Sequence, residues 1–348
     1  MFLPLNKHMV KKVVYFLGAG ASQAERDHSG KTKESKDILI EICTAKVIEN
    51  IKANKPAYND IINRYKPTGI RNIEQFISLL ESTNIQTNYK LADECREGFV
   101  RYLIENTKDV EPILIMALLQ LHEVNNEEEL AGIITTNYDS LIDRACKNLN
   151  RNVSYGFNSL MPKANSNANA QEVTVIKLHG SFNWKGIPID LMNDTESLNN
   201  ISELVWTPPS VQKDPTPYPS NMLWGRAFEL LNCDILRIVG SSLSPTDWGV
   251  LSLLFRTQLI TKENGYDIEL INYPDTCDQI KNTYKFLNNI KDLRELVYFD
   301  SENSSYANNP KFNPFLYWIQ DKARLLKKNG KNLDTYTYLY NVLTEGKT

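Results

Sequence analysis

The sequence predicts an α/β fold, in which a parallel sheet carries a large helical insertion between its first two strands and a short C-terminal extension. Three observations predict it. Short apolar runs, rich in β-branched residues, end in small or polar residues, and such continuous runs are typical of strands buried on both faces. Helical patterns lie between several of these runs, as in βαβ units. The interval 31–128 holds helix-like stretches but no convincing strand.

The elements follow in order along the chain. The predicted strands lie at 13–17, 132–136, 173–178, 235–239 and 268–272, with a last candidate at 295–299. The predicted helices within the insertion lie at 37–50, 73–80, 89–105 and 111–122. Further helices are expected at 222–232, 247–261 and 314–328. We therefore expect a catalytic domain over 1–275, with its helical insertion at about 31–128, and a strand/helix extension over 276–348 packed on the same domain.

Composition excludes several classes of protein. The 348 residues are 42% hydrophobic, which suits a packed core rather than a disordered chain. The net charge of −3 gives no basic footprint, so no direct nucleic-acid binding is expected. The longest apolar run, 112–121, is too short to cross a bilayer, and we expect a cytoplasmic protein without membrane contact. Five dispersed cysteines with no CxxC pair predict reduced thiols and no structural zinc.

The first strand runs directly into residues 18–22, which read GAGAS. Glycines there allow a tight turn and the close approach of a phosphate to backbone N–H groups, but the same residues also suit a plain turn. The full GxGxxG fingerprint fails because Gln23 replaces the third glycine. Residues 30–32 imitate the end of a P-loop, but Glu25 stands where that motif needs glycine, so we interpret them as a polar loop.

Polar residues also end the second and third strands. Residues 135–139 read TTNYD, and Asn137 and Asp139 either bind a ligand at the carboxyl edge of the sheet or cap the helix that starts near Ser140. Residues 178–181 read LHGS, and His179 is placed where a general base can reach a ligand near neutral pH. It is the one histidine of four at such a strand end.

The fourth and fifth strands end in a similar way. Residues 240–243 read GSSL, so Ser241 and Ser242 offer hydroxyl and backbone donors to phosphate or ribose. Asp247 follows and is interpreted as a helix cap. Asn272 ends the fifth strand, where it can contact a ribose or a base edge.

The ordered series GAGxS, TTNYD, LHGS, GSSL and an Asn-bearing strand resembles the sirtuin (SIR2) family over residues 13–30 and 130–275. The resemblance implies a Rossmann-like sheet that binds NAD+. It implies that the dinucleotide phosphates contact Ala19, Gly20 and Ser22. It also implies that Asn137 holds the nicotinamide ribose and positions a water, that Asp139 binds the carboxamide and that His179 is the base. Phosphate or ribose would contact Ser241 and Ser242, and the adenosine ribose would contact Asn272.

The sequence departs from protein-deacylating sirtuins in three places. Residues 181–232 contain no cysteine where those enzymes carry a zinc module, and no Phe-Gly-Glu loop precedes the helix at 222. The segment after GAGxS reads QAERD at 23–27, which leaves the nicotinamide pocket undefined. By contrast, IEQF at 73–76, WTPP at 206–209 and SLSPTD at 242–247 look like bacterial SIR2-like proteins of antiphage defence, which are similar to NAD+ hydrolases.

We therefore expect an NAD+ glycohydrolase that cleaves NAD+ to nicotinamide and ADP-ribose, with Asn137 and His179 as catalytic residues and no metal. The resemblance implies an antiphage (abortive infection) effector that depletes NAD+. Because an NAD+ hydrolase that is always active would poison its host, we also expect a homo-oligomer with low activity until triggered and a partner protein, either a HerA-like ATPase or an Argonaute-like protein. Two alternatives stay open, an NAD-dependent protein deacylase and a non-catalytic module that senses NAD+ or ADP-ribose. Hydride transfer is a more distant alternative.

Overall fold

A seven-stranded sheet forms the centre of the fold in the computed structural model, which describes residues 10–29, 40–65, 72–156, 170–208, 218–260, 265–296 and 312–344. All neighbouring strands are parallel, and the spatial order is β10-β9-β8-β1-β2-β4-β3. The predicted parallel α/β architecture is confirmed. The strands are β1 (Lys11–Leu17), β2 (Glu128–Thr135), β3 (Asn152–Ser154), β4 (Glu172–Lys177), β8 (Ile235–Val239), β9 (Asp267–Ile271) and β10 (Ile290–Asp292).

The centre of the sheet explains why its strands are continuously apolar. Residues 13–17 of β1 are at most 2% exposed, because β2 and β8 flank this strand and helices cover both faces. Leu17 is level with Thr135 of β2 and Val239 of β8, so these three strands end side by side. The next strand along the chain, β2, lies on one side of β1, and the later strand β8 lies on the other side, so the strand order reverses at β1. Ligands of open α/β sheets bind at such a reversal.

Helices fill the interval between β1 and β2, as predicted. They are α1 (Ala19–His28), α2 (Ile40–Asn54), α3 (Asn59–Tyr65), α4 (Ile73–Ser82), α5 (Gln86–Thr107) and α6 (Ile113–Val124). Helices α2 to α5 share a second apolar core, which Tyr138 and Phe182 of the sheet layer also enter. Helix α6 belongs instead to the core of the main sheet. The insertion is therefore packed against the carboxyl edge of the sheet.

A small antiparallel sheet follows the LHGS segment, and no strand was predicted there. It consists of β5 (Gly180–Lys185), β6 (Asp190–Leu191) and β7 (Leu204–Trp206). Gly180 has φ +74°, and a Cβ atom on it would lie 2.3 Å from Val205 O, so the turn out of β4 requires glycine. These strands are short and mix polar with apolar residues, which is why their sequence resembles a loop.

The remaining helices are α7 (Leu141–Asn148), α8 (Asp194–Asn199), α9 (Ser220–Leu230), α10 (Trp248–Ile260), α11 (Pro274–Thr283), α12 (Leu293–Leu296), α13 (Pro314–Lys328) and α14 (Thr337–Thr344). Helices α13 and α14 pack on α6. The part of the chain that the structure describes contains no helix long and apolar enough to cross a membrane. The polar loop predicted at 30–32 lies outside the described residues.

The candidate strand at 295–299 is wrong. The last strand of the sheet is β10, which ends at Asp292, and the helical turn α12 takes in Glu295. Asp292 causes this change of direction, because its Oδ1 accepts a hydrogen bond from Arg294 N at 2.9 Å while Lys281 Nζ holds its Oδ2 at 2.8 Å. Residues 297–299 lie outside the described residues.

A buried ion-pair network crosses the sheet at Arg237 of β8, which is 1% exposed. Its guanidinium donates two hydrogen bonds of 2.7 Å to Glu128 and one of 2.6 Å to Glu269. Its Nη1 also lies 2.9 Å from the hydroxyl of Tyr15, which in turn lies 2.8 Å from His122 Nε2. The network joins four strands, β1, β2, β8 and β9, and one helix, α6, around a single buried cation.

Candidate active site

A cleft of about 460 Å³ opens at the carboxyl edge of the sheet, between the strand ends and the helical insertion. The structure brings to this one cleft all nine of the residues that the sequence singled out. They are Ala19, Gly20, Ser22, Asn137, Asp139, His179, Ser241, Ser242 and Asn272. Residues 18–22, 135–139 and 240–243 are adjacent here because β1, β2 and β8 are neighbours in the sheet.

The GAG turn is packed against the GSSL turn. A Cβ atom on Gly18 would lie 2.6 Å from Ser241 Cβ, and one on Gly20 would lie 2.7 Å from Gly240 O. Gly240 has φ +60°, and its own Cβ would collide with Ala21 N at 2.2 Å. The amide of Gly20 donates to Gly240 O at 2.7 Å. The glycines therefore serve the contact between two turns, and Gly20 contributes to the cleft by its small size rather than by its N–H.

Helix α1 starts at this turn and has no side-chain cap at its N-terminus. The N-terminus of a helix carries a partial positive charge, which favours an anion such as a phosphate. Two amides of the first turn are already used, because Gly20 N donates to Gly240 O and Ala21 N donates to Gly18 O. Ala19 is the first helical residue and lines the cleft. The cleft wall at this point therefore suits a phosphate.

Ser22, Asn137 and Asp139 form one hydrogen-bonded chain. Asn137 Nδ2 donates to Gly18 O at 2.8 Å and to Ser22 Oγ at 2.9 Å, and Ser22 Oγ donates to Asp139 Oδ2 at 2.7 Å. Asp139 Oδ1 also accepts from Leu141 N at 3.0 Å, so Asp139 does cap α7, whereas Asn137 does not. Because both protons of the Asn137 amide are used internally, Oδ1 is its hydrogen-bonding atom for a ligand or a water.

A buried lysine supports the same turn from behind. Lys177 of β4 is fully buried, and its Nζ donates to Asp139 O at 2.9 Å and to Ser181 Oγ at 2.7 Å. Its charge is paired with Asp143 of α7. The ammonium group therefore ties the TTNYD turn to the residues that follow His179.

His179 lies at the floor of the cleft and is 2% exposed. Its ring lies between the rings of Tyr138 and Trp224, at centroid distances of 6.1 and 6.0 Å. Its Nε2 lies 3.1 Å from Asp247 Oδ2. From the sequence alone, Asp247 was interpreted as a helix cap. Its contact with His179 could not be predicted, because the two residues are 68 positions apart and no local signal links them.

The fourth and fifth strand ends complete the cleft. Asn272 Nδ2 donates to Ser241 O at 3.0 Å, and Asn272 Oδ1 accepts from Tyr273 N at 2.9 Å. Ser241 Oγ accepts from Leu243 N at 3.2 Å. In this arrangement Asn272 fixes the turn that presents the two serines.

The helical insertion forms one wall of the cleft, which was not predicted from the sequence. This wall consists of Asn72, Glu74, Phe99 and Leu103. Glu74 belongs to the IEQF segment, and its Oε2 accepts from Thr246 Oγ1 at 3.2 Å. The insertion thus contacts the turn that precedes α10, directly beside the cleft.

Glu25 of α1 lies behind the cleft and is fully buried. Its carboxyl oxygens accept hydrogen bonds from Leu114 N at 2.9 Å and Ile115 N at 2.6 Å, so it caps the N-terminus of α6. Burial raises the pKa of this carboxyl to about 8. Since the ordinary value is about 4.5, the stabilisation linked to the protonated form is complete below pH 4.5 and is lost as the pH rises through about 8.

We therefore expect Glu25→Gln to reduce the pH dependence of stability. Between about pH 5 and about pH 8.5, the wild-type chain should lose more of its free energy of unfolding than the variant, because the variant has no buried carboxyl to ionise. Urea denaturation at both pH values measures the difference. Equal losses in the two proteins would contradict the assignment.

Among the residues that the structure describes, no group of three or more His, Cys, Asp or Glu side chains is arranged to hold a metal ion. All five cysteines are buried thiols: Cys43, Cys95, Cys146, Cys233 and Cys277.

Comparison with known proteins gives the class of the domain. Residues 131–261 match the SIR2-like domain, so the predicted resemblance is confirmed for the segment from β2 to α10. That segment supplies the TTNYD, LHGS and GSSL turns, whereas the GAG turn lies before it. No curated protein matches the chain.

Solved structures of Sir2 proteins are also similar to the chain. A Sir2 enzyme from work on Sir2 mechanism and regulation is 16% identical over 92% of this chain and 95% of its own, with a TM-score of 0.39. A triple mutant of a Sir2 homologue in complex with 2′-O-acetyl ADP-ribose is 17% identical over 92% and 94%, with a TM-score of 0.42. A mutant Sir2 homologue in complex with ADP-ribose is 18% identical over 77% and 84%, with a TM-score of 0.41.

Proposed function

We propose that the protein is an NAD+ glycohydrolase, which binds NAD+ in the cleft and hydrolyses it to nicotinamide and ADP-ribose. One observation carries the proposal. Asn137, His179 and the N-terminus of α1, which has no side-chain cap, all line the same cleft. The SIR2-like domain supports the use of NAD+, because this class of domain uses that dinucleotide.

The two proposed catalytic residues have different roles: Asn137 positions a reactant and His179 accepts a proton. Breaking the bond between nicotinamide and C1′ of the ribose leaves positive charge on the ribose, and a water must then attack C1′. Asn137 presents Oδ1 to the ribose or to that water, since its Nδ2 is held by Gly18 and Ser22. His179 accepts the proton that the water releases. The bond electrons leave with nicotinamide, which departs neutral.

The sequence favours water over an acylated peptide as the acceptor. Residues 181–232 contain no cysteine for a zinc module, and the loop that holds an acyl peptide in deacylating sirtuins is missing. The insertion also contributes Glu74 and Phe99 to one side of the cleft. We therefore propose that water, held in place by the site, is the acceptor.

Nicotinamide release tests the proposal. The purified protein is incubated with NAD+ alone, with NAD+ and an acetyl-lysine peptide, and with NAD+ and a zinc chelator. We expect equal release in all three, at a rate that the peptide does not raise. Release that requires the peptide indicates a deacylase. Calorimetric binding of NAD+ without any release indicates a sensing module, and zinc-dependent release contradicts the metal-free site.

We propose that this activity serves antiphage defence in the cytoplasm, where an abortive-infection effector depletes NAD+. The segments at 73–76, 206–209 and 242–247 support this role through their similarity to bacterial defence proteins. An effector of this kind must keep a low activity until infection raises it, so we also propose a partner, either a HerA-like ATPase or an Argonaute-like protein. Loss of cellular NAD+ only during infection is the result that this role requires.

We propose that residues 1–275 form the catalytic domain and that residues 276–348 are an extension packed on it. Two observations support this division. The strand β10 adds to the edge of the main sheet, and helices α13 and α14 pack on α6 in the same apolar core. Removal of the extension would therefore uncover part of α6 and take away the Tyr338 and Leu339 amides that donate to Gln120 Oε1.

A homo-oligomer is part of the same proposal, and the outer face of α10 supports it. Trp248 is 74% exposed, Leu259 66%, Ile260 65% and Phe255 44%. Contiguous exposed apolar side chains often mark a protein interface. We expect the double variant Trp248→Glu, Leu259→Glu to have a lower mass by light scattering, whereas Leu325→Glu on α13 keeps the wild-type mass. A wild-type chain that is a fully active monomer at micromolar concentration would contradict the proposal.

A further inference from the structure

The His179 ring lies beside a carboxylate in the cleft. His179 Nε2 and Asp247 Oδ2 lie 3.1 Å apart, with side chains that are 2% and 16% exposed. Asp247 also lines the cleft. Their low exposure shields the pair from bulk water, so the interaction is stronger than it would be at the surface.

The position of Asp247 favours its ionised form. It directly precedes α10, a helix of 13 residues, and Leu251 N donates to its carbonyl oxygen at 3.2 Å. The partial positive charge at a helix N-terminus stabilises a carboxylate there. An ionised carboxylate can only accept hydrogen bonds, so the proton in this pair must lie on Nε2 of His179. A neutral His179 ring then has its lone pair on Nδ1.

The turn that carries Asp247 is itself fixed. Asp247 N donates to Ser244 O at 2.9 Å, and the hydroxyls of Ser244 and Thr246 lie 2.8 Å apart. Thr246 in turn donates to Glu74 of the helical insertion. The insertion therefore holds the carboxylate in place beside the histidine.

We propose that Asp247 is a positioning residue, which fixes the orientation and tautomer of His179 and stabilises the imidazolium formed during NAD+ hydrolysis. This inference rests on the proposed function. The oxygen of the attacking water bonds to C1′ as the bond from C1′ to nicotinamide breaks, and the electron pair of that bond leaves with nicotinamide. One water proton moves to Nδ1 of His179 and later passes to solvent, and Asp247 stays ionised throughout.

The experiment compares Asp247→Asn and Asp247→Glu with the wild-type protein. Asn keeps the size of the side chain but removes the charge and can present an N–H to Nε2, so it no longer fixes the tautomer. We expect kcat to fall roughly 100-fold in Asp247→Asn, with KM for NAD+ within about 3-fold of wild type, and Asp247→Glu to recover part of the loss. Asp93→Asn, on an aspartate that is 74% exposed, is the matched control and should stay fully active.

Two further readouts separate positioning from a structural role. In a His179→Ala background, Asp247→Asn should cause no additional loss, because its effect passes through the ring. The ring nitrogens of ¹⁵N-labelled His179 should show the Nε2–H tautomer in the wild-type protein and a changed pattern in Asp247→Asn. An unchanged kcat in Asp247→Asn, or an equal loss with and without His179, would overturn the proposal.

The two proposals fail in different ways. A wild-type protein that releases no nicotinamide but shows the ¹⁵N change on Asp247→Asn refutes the hydrolase and leaves the positioning of His179 intact. An active wild-type protein whose ¹⁵N pattern is the same in Asp247→Asn refutes the positioning role and leaves the hydrolase intact.

Discussion

Replacing Asn137 or His179 with alanine is expected to stop the release of nicotinamide from NAD+ while the fold stays intact. A general base, the role of His179, is typically worth about 10²–10⁴ in rate, and misplacement of a reactant that Asn137 positions can cost about 10²-fold, so either loss should lower turnover by at least ~10²-fold. Both side chains face the cleft at the carboxyl ends of strands, where ligand contacts concentrate. A nicotinamide assay and a melting curve are needed for each variant.

The melting curve decides between a catalytic and a structural role. If the two side chains served the fold, truncation would leave buried partners unpaired and cost roughly 1–3 kcal/mol. Two control variants accompany them, Asn232→Ala on an exposed asparagine and Cys233→Ala on a buried thiol outside the cleft. Full turnover in Asn137→Ala would refute the site assignment. A turnover lost together with a strongly lowered melting point would mean that the residue is structural.

The largest expected effect on stability lies in the sheet rather than in the cleft. We expect Arg237→Met to lower the free energy of unfolding by roughly 3–5 kcal/mol, because it leaves the half-buried Glu128 and the buried Glu269 without their cation. The Tyr15 hydroxyl would lose its hydrogen bond to the guanidinium as well. Urea denaturation measures the change.

Arg101→Met is the matched control for this variant. Arg101 and Glu97 form an i,i+4 pair on α5 in which both side chains are 48% exposed. Exposed pairs of this kind contribute about 0.2–1 kcal/mol, so the control should stay close to the wild type. A cost below about 1 kcal/mol for Arg237→Met would show that the buried network does not stabilise the sheet.

The sequence predicted the strand ends well because buried parallel strands are continuously apolar and break sharply. Val239 is followed by Gly240, and Leu17 by Gly18, so the turns stand out against the strands. Helix α13 was predicted with its observed bounds, 314–328, because a proline begins it and lysines end it. These local signals were enough to bring nine cleft residues together by topology alone.

Contacts between distant segments could not be predicted in the same way. The pairing of His179 with Asp247 depends on how β4 and α10 meet at the sheet edge, and Asp247 by itself has the sequence context of a cap. The wall formed by Glu74 and Phe99 depends on how the insertion folds back. The chain turns into β5 through the positive φ of Gly180, and β5 then pairs with β7. No hydrophobic periodicity in the sequence marks these strands.

The reaction in H₂¹⁸O tests the central claim most directly, because it identifies the acceptor of the ADP-ribosyl group. The protein is incubated with NAD+ alone in labelled water, and the products are analysed by mass spectrometry. The hydrolase account predicts nicotinamide and ADP-ribose in equal amounts, with one ¹⁸O at C1′ of each ADP-ribose formed. Products without the label, or no nicotinamide at all under every assembly state tested, would contradict it.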